Sequence, residues 1–265
     1  MRIEKRRQLE LLLKNVAICG GDIANQYFRT PNLLEKNKSK SGFDPVTAVD
    51  VAVEKAMVEV IKKHREADSV FGEEMGLVPG SSKFTWILDP IDGTRAFISG
   101  IPLWTVLVAI NDGIKPILGA INQPFTRELL IGGFEKSVYL FDGVERRVAT
   151  RKCSDLKSAI LSTTFPEIGS LEERLAFESI SERAKLTRYG LDAYGFALIA
   201  MGQIDIIIEA GLKSYDVQAP IAVIEGAGGV VTDWQGKDAQ NGGRVLACGD
   251  KDLHQEALEL LSRIK

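Results

Sequence analysis

Histidine is scarce in this sequence of 265 residues, which contains only two. His64 lies in a Lys-Lys-His-Arg run and His254 lies in a C-terminal helical segment, both among charged neighbours. Because nucleophilic and acid-base catalysis at neutral pH most often depends on histidine, this scarcity disfavours such chemistry. Any catalytic groups are therefore expected among the carboxylates.

Cysteine is nearly as scarce, with three residues at positions far apart in the chain. Cys19, Cys153 and Cys248 form no C-x-x-C motif, and their number is odd. These features disfavour a disulfide framework and a zinc site. We expect buried, reduced thiols.

Long apolar runs are absent, since no stretch of about 18 apolar residues occurs. The N-terminus also lacks the ordered pattern of a secretory signal, so the sequence predicts a cytoplasmic protein without a membrane partner. The net charge is -3 and the pI about 5.6. The basic cluster Lys5-Arg6-Arg7 falls on the polar face of a predicted amphipathic helix, and we expect no nucleic-acid partner.

The first part of the chain has the apolar spacing of helices. One helix is predicted from about Glu4 to Thr30 and a second from about Thr47 to Arg65. The polar stretch K-N-K-S-K-S-G-F-D-P between them is predicted to be a loop. With 45% apolar and 26% charged residues, the composition is ordinary for a mixed α/β protein.

From Ser69 onward, short apolar runs alternate with Gly, Pro and Asn-Asp-Gly. This pattern is typical of strands in a meandering, largely antiparallel sheet. Asn111-Asp112-Gly113 predicts a tight hairpin turn, because these residue types tolerate positive φ.

After about Arg147 the pattern changes to an alternation of strands and helices. The predicted elements are a strand A-I-L-S-T-T, helices at Leu171 to Lys185 and Tyr194 to Met201, and strands I-D-I-I-I-E and V-V-T-D-W. We therefore predict two lobes, residues 1–147 and 148–265. Without a linker between them, a cleft at their boundary is the expected site.

The stretch W-I-L-D-P-I-D-G-T places two acids after a predicted strand at Thr85 to Leu88. Asp89 would end that strand, and Asp92 would precede a short helix at Thr94 to Ser99. Two acids beside a helix N-terminus suit Mg²⁺ and a phosphoryl group together. Alternatively, Asp92 caps the helix and Asp89 accepts hydrogen bonds from turn amides.

Two further acidic positions lie in unexpected surroundings. Glu73 and Glu74 follow another apolar run in F-G-E-E-M-G, where a solvated loop is the alternative. Asp216 stands in the apolar, helix-prone stretch L-K-S-Y-D-V-Q-A-P. Its charge is expected at a helix start, facing a polar group or only capping the helix.

Together these motifs resemble the inositol monophosphatase family of Mg²⁺-dependent, lithium-sensitive phosphatases. The resemblance rests on G-E-E, D-P-I-D-G-T, and Y-D-V followed by E-G-A-G-G-V-V-T-D-W. It begins at D-P-V-T-A-V-D, from Asp44 to Asp50, and covers essentially the whole chain. It implies an α/β (α+β) fold, the layered αβαβα sandwich of the inositol monophosphatase and fructose-1,6-bisphosphatase type, and a homodimer.

The resemblance also assigns roles to individual residues for two to three Mg²⁺ ions and direct attack of a metal-activated water. Implied metal ligands are Glu73, Asp89, the backbone carbonyl of Ile91, Asp92 and Asp216. Thr94 would help Glu73 to deprotonate the water, with Asp50 and Glu74 as acids behind the metal ligands. The amides of Gly93 and Thr94 would hold phosphate oxygens.

The second lobe should select the alcohol. The segments R-Y-G-L-D-A-Y-G-F-A and G-T-R-A-F-I-S-G-I-P-L-W are similar to the histidinol-phosphatase branch of the family. Asp192 and Glu209 would then bind the amine and imidazole of histidinol phosphate, which implies a role in histidine biosynthesis. Asp192 could instead cap a helix and Glu209 could end a strand. The alternative substrate is inositol 1-phosphate or another small phosphate ester.

Two other functional classes compete with this interpretation. A haloacid-dehalogenase-type phosphatase uses D-x-D-x-T near the start of its chain, whereas this sequence has D-x-x-D-G-T in mid-chain. A non-catalytic, metal-binding homologue is the other alternative, because a fold does not guarantee turnover. The retention of all matched ligands and of Thr94 favours an enzyme.

Overall fold

The chain folds into five alternating layers of helix and sheet. The computed structural model describes residues 1–30, 35–37 and 45–263. Helices α1 and α2 cover one face of a large sheet, α5 and α6 lie between that sheet and a smaller one, and α4 and α7 cover the far side. This arrangement confirms the predicted αβαβα sandwich.

The elements follow one another along the chain with these bounds. The helices are α1 (Ile3–Tyr27), α2 (Ala48–His64), α3 (Thr94–Ile98), α4 (Leu171–Ser181), α5 (Asp192–Ala200), α6 (Ser214–Gly226) and α7 (Lys251–Leu261). The first strands are β1 (Glu35–Asn37), β2 (Pro45–Thr47), β3 (Ser69–Gly72), β4 (Gly76–Val78), β5 (Thr85–Asp92), β6 (Thr105–Asn111), β7 (Pro116–Gln123), β8 (Glu128–Gly133), β9 (Lys136–Phe141) and β10 (Val144–Val148). The later strands are β11 (Ile160–Thr163), β12 (Leu186–Tyr189), β13 (Ile206–Lys213), β14 (Val230–Thr232) and β15 (Gly242–Cys248).

The large sheet has the order β10-β9-β8-β7-β6-β5-β3-β4. Its neighbours run antiparallel except for β3 and β5, which are parallel. The predicted antiparallel meander is therefore confirmed. So is the turn at Asn111-Asp112-Gly113, where Gly113 has a φ of 92° and joins β6 to β7.

Strand β6 shows why the central strands read as continuous apolar runs. Val106, Val108 and Ile110 pack in the core beneath α1 and α2, whereas Leu107 and Ala109 pack in the core that contains α5 and α6. Successive side chains of a strand point to opposite faces. Because both faces of this sheet are covered by helices, both sets of residues are apolar.

The smaller sheet has the order β12-β11-β13-β15-β14. Strands β12, β11 and β13 are parallel, while β15 is antiparallel to both of its neighbours. Its outer face joins α4 and α7 in a third core that includes Leu161, Ile206, Phe177 and Leu253. Its inner face shares the core with α5 and α6.

Some predicted boundaries were wrong. Helix α1 ends at Tyr27 rather than Thr30, and α4 ends at Ser181 rather than Lys185. The residues after α4 form β12, which the sequence pattern did not reveal. Strand β13 runs from Ile206 to Lys213, so it extends well beyond the predicted end at Glu209.

Two predictions remain untested. Residues 38–44 of the predicted polar loop, including Asp44 at the start of D-P-V-T-A-V-D, lie outside the described residues, whereas its ends are not loop as predicted, because Lys36 and Asn37 belong to β1 and Pro45 begins β2. The division into lobes at residues 147 and 148 stays a prediction, although the large sheet ends at Val148 and the smaller sheet begins at Ile160. Among the residues described, no helix is both long and apolar enough to cross a membrane.

Candidate metal and phosphate site

A β-bulge in β5 places two acids on one face of the sheet. Asp89 pairs with Leu107 and Asp92 pairs with Thr105, so two residues of β5 lie opposite Val106 alone. Residues three apart normally face opposite sides of a strand, but the extra residue restores the same side. Ile91 turns into the core beneath α1 and α2 instead. The strand thus continues through the D-P-I-D motif and does not end at Leu88 as predicted.

Helix α6 brings the third acid to the same place. Asp216 lies in its first turn, and its Oδ2 accepts a hydrogen bond of 2.6 Å from the Lys213 amide. The backbone of α6 approaches the large sheet at Gly119 and Gly132, where a Cβ atom would collide with Ala219 and Val223. Glycine is thus required for this close packing.

Asp89, Asp92 and Asp216 form a compact cluster in which one carboxylate oxygen from each lies within 4.8 Å of the others. Burial raises the pKa of Asp89 well above its usual value, and the charges of Glu73, Asp92 and Asp216 add to this effect. Burial together with Asp192 and Asp216 likewise raises the pKa of Asp92. Burial raises the pKa of Asp216 to about 7, against the opposing effect of the Lys213 amide.

This cluster fits a divalent cation. Asp89 Oδ1 is buried and has no hydrogen-bond partner. An unpaired buried oxygen beside like charges is costly unless a positive charge compensates it. Hard divalent cations prefer carboxylate oxygens as ligands. The donor set therefore matches the type of ion that the sequence predicts.

Glu73 reaches this cleft from the strand next to β5. Because β3 and β5 are parallel, their carboxyl ends lie at the same edge, and the Glu73 amide donates to Leu88 O at 3.2 Å. Glu73 lines the cleft with the three aspartates, but its carboxylate is not part of their compact cluster. Asp50 is buried in the first turn of α2, and its charge contributes to the raised pKa of Asp89.

The turn after Asp92 faces the same cleft. Gly93 has a φ of 79° and precedes α3, and no side chain caps this helix, so Asp92 does not act as its N-cap. Asp92 Oδ2 instead accepts a hydrogen bond of 2.7 Å from the Ala193 amide. The Thr94 hydroxyl donates to Ile91 O at 3.0 Å, and its predicted role of helping Glu73 to deprotonate the attacking water stays a prediction.

Asp192 and Glu209 also line the cleft, which has a volume of about 320 Å³. Asp192 is the first residue of α5 and makes no capping hydrogen bond, so the capping alternative is wrong. Burial raises its pKa to about 6, opposed by Arg95. Burial raises the pKa of Glu209 to about 7, although Thr164 donates to it from its amide and hydroxyl at 2.6 and 2.8 Å.

Sequence reasoning missed several residues that line the cleft. Arg95, Thr164 and Phe165 all line the cleft, and the Arg95 guanidinium lies 4.7 Å from the centre of the Phe165 ring. Phe165 keeps 43% of its surface exposed. The position of Arg95 directly after D-G-T was a usable signal. The loop after β11, which contains Thr164 and Phe165, had no such signal in its sequence, because packing between the sheets decides where this loop lies.

Comparison with known proteins agrees with this geometry. The model of the inositol monophosphatase family matches residues 5–265. The chain belongs to the inositol monophosphatase family. A solved structure of an inositol monophosphatase from Zymomonas mobilis superposes with a TM-score of 0.85 at 34% identity, covering 97% of this chain and 98% of that one. The layered fold is thus that of the family.

Three relatives indicate the range of activities within the family. The bifunctional phosphatase IMPL2 of Arabidopsis thaliana, described as chloroplastic, is 39% identical over 93% of this chain and 72% of its own length. An inositol-1-monophosphatase of Caulobacter vibrioides is 34% identical over 86% of this chain and 92% of its own. A histidinol-phosphatase of Mycobacterium tuberculosis is 31% identical over 84% and 87%. The chain is therefore a metal-dependent phosphomonoesterase of this family.

Proposed function

We propose that this phosphatase hydrolyses inositol 1-phosphate or a closely similar polyol phosphate. The main observation behind this proposal is that the three-aspartate cluster lines the same cleft as Asp192 and Glu209, and that the cleft is large enough for a small phosphate ester. Carboxylates are good acceptors for the hydroxyl groups of a polyol. The relatives named for inositol monophosphate support this substrate above histidinol phosphate, which the sequence had favoured.

In this proposal Glu73, Asp89, Asp92, Asp216 and the carbonyl of Ile91 hold two to three Mg²⁺ ions. Bound Mg²⁺ would lower the pKa of a water molecule and neutralise charge on the phosphate and on the departing oxygen. Asp50 and Glu74 would keep these ligands oriented.

The protein groups around the phosphate would then act as follows. The amides of Gly93 and Thr94 bind phosphate oxygens. The Thr94 hydroxyl donates to Ile91 O, so its oxygen can accept a hydrogen bond from the attacking water. Glu73 accepts the proton of that water as its oxygen bonds to phosphorus and the ester P–O bond breaks. The alcohol leaves after its oxygen takes up a proton from bulk water, Glu73 releases its proton to bulk water, and no aspartyl-phosphate forms.

Histidinol phosphate is the second candidate, favoured by one feature of the cleft. Phe165 offers an exposed ring beside Arg95, and a planar imidazole stacks well on such a ring. Asp192 would pair with the protonated amine of this substrate. A polyol would gain little from the aromatic ring.

The decisive experiment is phosphate release by the purified full chain, with Mg²⁺ or with EDTA. Inositol 1-phosphate, histidinol phosphate, fructose 1,6-bisphosphate and 3′-phosphoadenosine 5′-phosphate should be compared by kcat/KM. We expect Mg²⁺-dependent release, with the highest kcat/KM for inositol 1-phosphate. A preference for histidinol phosphate that Phe165→Ala abolishes would establish the second candidate. No release from any ester would support a non-catalytic role.

Three further properties stay predictions. The homodimer can be checked by light scattering and lithium inhibition by the same phosphate assay. The cytoplasmic location can be checked by fractionation.

A further inference from the structure

Glu54 is a charged residue that the proposed mechanism does not use, although it is fully buried. It lies on α2 and has no exposed surface. Its Oε2 accepts a hydrogen bond of 2.9 Å from the Glu74 amide, and its Oε1 accepts one of 2.8 Å from the Met75 amide. Both oxygens thus bind consecutive amides of one loop.

That loop is the three-residue turn between β3 and β4, and Glu73 is its first residue. On one side the Glu73 amide donates to Leu88 O of β5. On the other side the amides of Glu74 and Met75 donate to Glu54. A Cβ atom at Gly72 would collide with the Glu54 carboxylate, so the carboxylate lies directly against the start of the turn. The backbone of the turn is therefore held from both sides while Glu73 lines the cleft.

We propose that Glu54 is a positioning residue for Glu73 that sets the affinity of the site for Mg²⁺. This inference rests on the proposed role of Glu73 as a metal ligand. The side chains of an unsupported short turn are mobile. Here the Glu54 carboxylate on α2 binds two amides of the turn and so fixes the backbone of the turn. Groups that orient metal ligands typically change metal affinity by about 10–100-fold when they are altered.

A purely structural role for Glu54 is the competing explanation, and the chain offers a matched control. Asp68 precedes the other end of β3 and is equally buried, with 1% exposure. It accepts hydrogen bonds from Arg65, Ser82 and Trp86, far from the cleft. Asp68→Asn should therefore lower the melting temperature without changing Mg²⁺ affinity.

The test is calorimetric titration of the metal-free full chain with Mg²⁺, together with kcat and KM at saturating Mg²⁺. Variants are Glu54→Gln, Glu54→Asp, Glu73→Gln, the double variant Glu54→Gln/Glu73→Gln, and Asp68→Asn. We expect Glu54→Gln and Glu54→Asp each to weaken Mg²⁺ binding about tenfold. Glu54→Asp keeps the charge but shortens the reach, so it separates positioning from long-range electrostatics. The double variant should bind no more weakly than Glu73→Gln.

The outcomes separate this inference from its premise. Mg²⁺ affinity unchanged in Glu54→Gln, or normal in Glu54→Asp, would overturn it, as would strictly additive effects in the double variant. Unchanged affinity in Glu73→Gln would instead remove the premise, and no Mg²⁺ binding by the wild-type chain would remove the proposed function. If Glu54→Gln does not fold, Glu54→Asp decides by the same criteria.

Discussion

At the scale of single residues, Asp89 carries the conflict between stability and function. It is buried with one unpaired oxygen among several other acids. Such a residue weakens the metal-free fold and is retained only where its charge has a use. The same argument applies to Asp216, whose capping bond to Lys213 leaves its second oxygen for the cluster.

Asp89→Asn should therefore abolish activity while stabilising the metal-free protein. Removing one charge relieves repulsion within the cluster, so we expect the melting temperature in EDTA at pH 8 to rise by about 2–4 °C. In Mg²⁺ the wild-type chain should have the higher melting temperature, because only the wild type is stabilised by a bound ion. Thermal scans with and without Mg²⁺ test this. A variant that retains turnover would contradict the assigned site.

At the scale of elements, the position of Asp216 depends on how closely α6 lies against the sheet. Gly119 permits this approach, because a side chain there would meet the backbone at Ala219. Backbone cannot move aside as a flexible side chain can.

Gly119→Ala should thus push α6 outward, lower the free energy of unfolding by about 1–3 kcal/mol, and raise the Mg²⁺ concentration at half-maximal activity. Gly20→Ala on α1 is the control, since the three atoms nearest to its new methyl would be side-chain atoms of Met57 and Val106 and not backbone. Denaturant unfolding and a Mg²⁺ titration measure the two effects. Equal Mg²⁺ requirements in both variants would refute the link between α6 packing and the metal site.

The sequence predicted helices α1 and α2 and the antiparallel meander, because their apolar spacing is set by local burial. It missed β12, whose residues are largely exposed at a sheet edge and carry no alternating pattern. The resemblance of its motifs to those of the family predicted that Asp89, Asp92 and Asp216 share one site. It could not place Thr164 against Glu209 or Arg95 against Phe165, because these contacts join distant segments across the cleft.

At the scale of the whole molecule, the acids of the cleft make stability depend on pH. Burial raises the pKa values of Asp192, Glu209 and Asp216 to about 6, 7 and 7. A carboxyl whose pKa is raised on folding favours the folded state only while it is protonated. Its contribution is complete below the unfolded pKa and is lost as pH rises through the folded value.

The metal-free protein should consequently lose stability between about pH 4 and pH 7. For Glu209 alone, the difference between 4.5 and about 7 corresponds to about 3 kcal/mol. Urea unfolding in EDTA at pH 5 and pH 8 measures the loss. Mg²⁺ should restore stability at pH 8 and have little effect at pH 5, where protons compete for the ligands. Equal stability at both values in EDTA would contradict this.

The bulge in β5 has a consequence for how the site responds to mutation. A regular ladder would have one residue opposite Val106, whereas β5 has two between Asp89 and Asp92. The surplus peptide unit is released from the ladder, and Ile91 O is available to Thr94. Every amino acid has the same main-chain carbonyl, so no substitution at position 91 removes this oxygen. Deleting one residue between Asp89 and Asp92 would remove one main-chain carbonyl from this stretch, a change that no substitution reproduces.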